Sequence, residues 1–250
     1  MNKTIIMEAR RWGSAANSLW VCALIIGIIP IISIVISMLI PLISSNYNET
    51  YGMISFAGII LGLISYIAQW IQVANLGTWV NILNRSNVSD TGSLLRKFQI
   101  GIIMSLIMQA IYALGPIILW YIAENSAAIS SFNMFTLIFY AILFIACIIA
   151  LTLLIWGMFG LAFSSRVDER LSTGMKYMIA SFAITLLILV IQFFSFDISE
   201  ALYSNGIDYE TFYIIIMFIP VIANILQIIA WRYITKTPCP LQTEEAITLE

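Results

Sequence analysis

The side chains in this sequence best placed to act on another molecule are carboxamides. Gln69, Gln72 and Asn75 stand three residues apart, Asn224 and Gln227 likewise, and Gln109 and Gln192 are set singly into other apolar stretches. On a helix of about 3.6 residues per turn, the first three fall within about 120° of one another and the second pair within about 60°, so each set forms one face. A carboxamide carries no charge; it donates and accepts hydrogen bonds. Such faces can hold helices together, at about 0.6 kcal/mol per bond, or line a polar cavity or pore for an uncharged solute.

Stronger chemistry is excluded by what the chain lacks. With no histidine, it cannot form Ser-His-Asp or Cys-His nucleophile pairs, histidine-held zinc or haem, or a histidine pH switch. Cys22 and Cys147 lie in apolar stretches and Cys239 near the C-terminus, which gives neither a disulfide framework nor a metal cluster. Asp168-Glu169-Arg170 reads as a hydrated turn, and the pairs Asp197/Glu200 and Asp208/Glu210 read as solvated loop. Asn48-Glu49-Thr50 is a formal N-glycosylation sequon. These residues predict a protein that is not an enzyme and uses no cofactor and no metal.

The elements that must position the carboxamides are membrane helices. Of the 250 residues, 61% are hydrophobic and 10% charged, whereas a soluble domain carries about 25% charged residues. A helix crossing a hydrocarbon layer of roughly 30 Å needs about 20 mostly apolar residues. Six such stretches without Asp, Glu, Lys or Arg occur, near Leu19–Leu42, Ile54–Val80, Phe98–Ile122, Phe135–Phe163, Tyr177–Phe196 and Tyr213–Trp231. They predict an all-α, polytopic bundle of six transmembrane helices. Residues 1–236 form one membrane domain, followed by a mobile cytoplasmic tail over 237–250.

All eleven basic residues fall on one side of this segmentation: Lys3, Arg10, Arg11, Arg85, Arg96, Lys97, Arg166, Arg170, Lys176, Arg232 and Lys236. The other side has carboxylates and no base. Short cytoplasmic loops collect Lys and Arg, so both termini are expected in the cytoplasm. Thr4–Ser18 reads as a short helix lying on the inner leaflet. Trp20, Trp79, Trp120, Tyr121, Tyr213 and Trp231 sit near span ends and read as an interfacial belt.

Small residues supply the packing. Gly58 and Gly62 form a GxxxG pair, Ala146 and Ala150 an AxxxA pair, and Gly157 and Gly160 lie near the inner end of span four; such notches let helix backbones approach within one chain or between subunits. Pro30, Pro116 and Pro220 fall within spans and should kink them. Arg85, Thr91-Gly92 and Lys97-Phe98 recur in order as Arg166, Thr173-Gly174 and Lys176-Tyr177. That order suggests two similar hairpins, each with a glycine break.

The opening Met7-Glu8-Ala9-Arg10-Arg11-Trp12, the long first span and the stretch Thr91-Gly92-Ser93-Leu94-Leu95-Arg96-Lys97-Phe98 resemble small bacterial multi-pass membrane proteins of unknown function. The resemblance covers about the first half of the chain. It implies a bacterial inner-membrane location and carries over no activity or site. The function expected is that of a structural or accessory membrane subunit, working through helix contacts and its basic cytoplasmic face. The alternative is a channel or facilitator for a small uncharged polar solute or lipid, lined by Gln69, Gln72, Asn75, Gln109, Asn224 and Gln227. Expected partners are the lipid bilayer and other membrane subunits or a second copy of the chain, with no nucleic acid.

Overall fold

A computed structural model describes the backbone of residues 3–43, 47–86, 89–125, 129–193 and 209–241, and most side chains of 3–40, 52–86, 90–115, 136–191 and 218–241. The chain is all-helical over these residues. Among the described residues there are six helices: α1 (Lys3–Ile43), α2 (Tyr47–Leu83), α3 (Ser89–Asn125), α4 (Ile129–Phe163), α5 (Glu169–Phe193) and α6 (Tyr209–Ile234). The first five are long and apolar enough to cross a membrane; the described part of α6, Phe218–Ile234, is a shorter apolar helix.

Each helix packs against its neighbours in sequence, and α6 returns to pack against α1, so the six close into a ring. One end of the ring gathers the starts of α1, α3 and α5 with the ends of α2, α4 and α6. There the Trp12 Nε1–H donates to Thr237 O at 2.9 Å, the Trp79 Nε1–H to Trp12 O at 3.2 Å, and Arg170 to Lys236 O at 2.9 Å. Arg85 pairs with Glu8 and Arg166 with Asp90 across helix pairs. The basic residues of the helix ends and turns, and both ends of the described chain, therefore lie at one end of the ring.

The packed core lies toward this same end. On α1, Trp12, Ala15, Ala16, Leu19, Ala23, Ile26 and Ile29 are all buried, a stripe at spacings of three and four that faces the ring. Thr4–Ser18 is therefore not a separate helix lying on the leaflet. It is the first part of a continuous α1, held to the bundle by Trp12, whose ring stacks on Trp79 with centroids 4.1 Å apart. Trp79 and Trp231 are likewise core residues rather than belt residues; Trp20 alone of the described set is half-buried, with Arg232 over its ring.

Lengths account for this asymmetry. A helix of 41 residues is about 60 Å long, about twice the hydrocarbon thickness, so a membrane that takes the apolar stretches leaves the basic end of the helices in water. Water drives apolar side chains together, whereas lipid does not. Accordingly Leu19, Leu76, Trp79, Leu95, Leu161, Leu171, Met175 and Ile234 pack into one cluster near the bases, while the apolar faces of α2 and α4 farther along remain open.

Close helix contact is made by glycines other than the GxxxG pair. A Cβ at Gly157 would stand 2.6 Å from the Phe98 backbone nitrogen, one at Gly101 2.8 Å from the Leu154 nitrogen, and one at Gly174 2.8 Å from Ala230 O. At Gly58 and Gly62 it would meet nothing within 4 Å. Gly92 and Gly174 are not breaks between helices either: both lie inside the first two turns of α3 and α5, where a neighbour crowds them. Helices α1 and α6 run on through Pro30 and Pro220.

Candidate functional site

The stripe that buries α2 runs Ala68, Gln72, Val73, Leu76, Trp79, Val80 and Leu83. Gln72 thus occupies a position that core packing would give to an apolar side chain. On α6 the corresponding stripe is Ala223, Ala230, Trp231 and Ile234, and Gln227 falls within it by spacing. Both carboxamides are carried to the ring axis by the same periodicity that packs the core.

They meet there in a cavity of about 310 Å³ to which every helix contributes, among them Ile26 of α1, Gln72 of α2, Ile102 of α3, Leu154 of α4, Ser181 of α5 and Gln227 of α6. Gln69 lines it too. Toward the basic end it abuts the packed cluster of Leu76, Trp79, Leu95, Leu161 and Met175. Among the described residues no ionisable side chain lines it.

Two donors in the wall have no partner. Gln72 is 4% exposed and Trp231 1% exposed, yet Gln72 Nε2 and Trp231 Nε1 make no hydrogen bond. Such an orphan costs about 1–3 kcal/mol, and both nitrogens are closed off by the packing around them rather than open to the cavity. The hydroxyls nearby are committed as donors: Ser181 Oγ–H donates to Ala223 O at 2.8 Å, Thr185 Oγ1–H to Ser181 O at 3.0 Å. Gln69 Nε2 donates to Ser65 Oγ at 3.3 Å. The cavity is therefore lined by carboxamides and hydroxyls among apolar side chains, a polar but uncharged wall that suits an uncharged molecule.

The other carboxamides sit elsewhere. Asn75, at the far edge of the face about 120° from Gln69, turns away from the cavity: its Nδ2 donates to Ile71 O, and it lines a polar groove of about 410 Å³ between α1 and α2 with Glu8, Arg11, Asn81 and Arg85. Asn224 donates to Pro220 O of its own helix at 2.9 Å. Gln109 is exposed on α3 and lines both an α2–α3 groove and a groove formed by α3, α4 and α5. The side chains of Gln192, Trp120, Tyr121, Tyr213, Pro116, Asn48, Glu49 and Thr50 lie outside the described residues, as do residues 197, 200 and 208 and the tail from 242.

Trp231, Ser181 and Thr185 join the site without having been expected there. Trp231 stands four residues after Gln227, the same-face spacing of a helix, and that spacing could have found it. Among the described residues no group of three or more His, Cys, Asp or Glu side chains could share a metal ion. The chain matches no protein-family model, no curated protein and no solved structure.

Proposed function

We propose that this protein is a facilitator, embedded in a bacterial inner membrane, that binds and passes a small uncharged polar molecule or the head of an uncharged lipid through its axial cavity. The observation that carries the reading is the convergence of Gln69, Gln72 and Gln227 on that cavity, with Gln72 Nε2 unpartnered. Helices held only by carboxamide glue would pair these groups with one another. The positive-inside rule orients the molecule with the basic end, and hence both termini, in the cytoplasm. On that orientation the packed cluster at the basic end is a closed inner barrier and the cavity lies on its membrane side.

The test is solute flux. Vesicles holding the purified protein should take up glycerol or urea faster than protein-free vesicles, followed by light scattering after mixing. The double variant Gln72→Leu with Gln227→Leu should return the rate to that of empty vesicles. Equal flux in wild type and double variant would overturn the reading. The accessory-subunit alternative keeps one observation in its favour: Gly58 and Gly62 present an unfilled notch on α2, of the kind that lets another helix approach closely.

A further inference from the structure

The basic end carries a second polar site, away from the ring axis. Glu8, Arg11 and Ser14 on α1 and Asn75, Thr78 and Asn81 on α2 recur at every third residue, so each set stays within about 120° of one helix face. The two stripes border the α1–α2 groove of about 410 Å³, which Arg85 completes. Among the described residues no side chain lines both this groove and the axial cavity.

The charged groups of the groove are unevenly committed. Glu8 is buried, and its carboxylate accepts from Arg85 Nη1 at 3.0 Å. A guanidinium fork carries several donors, so Arg85, with 68% of its side chain exposed, keeps others to spare. Arg11 is exposed, and among the described residues nothing pairs with it. Two guanidiniums on facing helices against a single carboxylate leave the groove net positive. Farther toward the apolar stretches come Ser14 and Thr78, whose hydroxyls make no hydrogen bond among the described residues, and Asn75, whose amide nitrogen is taken by Ile71 O while its oxygen stays open.

We infer that this groove binds a phosphate ester of a small polyol, with the phosphate between Arg11 and Arg85 and the hydroxyls toward Ser14, Asn75 and Thr78. Guanidinium forks match phosphate oxygens in pairs, and the excess positive charge selects an anion and rejects a cation. The volume lies within the range of small-molecule pockets, about 300–1,000 Å³, and exceeds what bare phosphate fills; the uncharged donors and acceptors beyond the arginines suit hydroxyl groups. A phosphoglycerol unit has this chemistry. It can arrive as the head of an anionic phospholipid, because the groove ends just short of Leu19, where the first apolar stretch begins, or as soluble glycerol phosphate. The site is independent of the facilitator reading.

The experiment uses the full chain in phosphatidylcholine nanodiscs, titrated calorimetrically with glycerol 3-phosphate and, separately, with inorganic phosphate. Glycerol phosphate should bind saturably to a single site. Arg11→Gln should weaken it about tenfold, the weight of a charge-assisted hydrogen bond, with thermal unfolding unchanged because Arg11 holds nothing in the fold. Arg96→Gln removes the same charge from an exposed position outside the groove and should leave the affinity as it was. Thr78→Val should weaken glycerol phosphate but not inorganic phosphate; equal affinities in wild type and Thr78→Val would overturn the polyol part. Discs doped with phosphatidylglycerol separate the two sources by native mass spectrometry. Phosphatidylglycerol retained on the wild type and lost from Arg11→Gln supports the lipid head; saturable glycerol phosphate binding without such retention supports the soluble ester. Absence of both, or equal losses in Arg11→Gln and Arg96→Gln, would overturn the inference.

Discussion

Trp12 makes three kinds of contact at once: it stacks on Trp79, its backbone carbonyl accepts from the Trp79 indole, and its own indole donates to Thr237 O. The contributions can be separated. Trp12→Phe keeps the stack and loses one buried hydrogen bond, so it should cost about 1 kcal/mol. Trp12→Ala loses the ring as well and should cost roughly 3–5 kcal/mol. Unfolding titrations in mixed detergent micelles would give both values, and an equal, small loss in the two variants would show that the stack contributes little. Gln72 shows the opposite economy, since a carboxamide sits where the stripe wants a methyl group. Its position was legible from spacing, but its lack of a partner was not, because that depends on what five other helices bring to the axis.

At the level of helices, the α3–α4 seam is built by glycines at 101 and 157 that put backbone against backbone, whereas the GxxxG motif on α2 meets no neighbour. Gly157→Ala should therefore destabilise the protein by about 1–3 kcal/mol, as overpacking does. Gly58→Ala, on an open helix face, should be neutral or slightly stabilising, given the roughly 0.5–1 kcal/mol advantage of alanine in a helix. Thermal denaturation of the two variants in the same detergent checks this, and equal losses would contradict the seam. The number of helices and their apolar stretches could be read from the sequence because each is a run of uncharged residues longer than a soluble helix needs. The continuity of α1 could also have been read, from the 12, 15, 16, 19 stripe that runs on past the bases into the first span. Which glycine pair closes a seam could not: it depends on which face of each helix meets its neighbour.

For the molecule as a whole, one end is packed in the manner of a soluble protein and the rest is left open for lipid to fill. Both ends of the described chain, Lys3 and Leu241, belong to the packed end. Reporter domains fused to the N-terminus and to the C-terminus should therefore register the same compartment, the cytoplasm on the positive-inside argument; opposite readings would overturn the ring as described, and both outside would overturn the orientation alone. The ring shuts where α6 meets α1, fastened by Trp12 to Thr237. Since a chain is made from its N-terminus onward, α1 must wait for α6. A polypeptide that stops before Thr237 leaves the Trp12 indole without its acceptor, and the ring stays open until that stretch has been made.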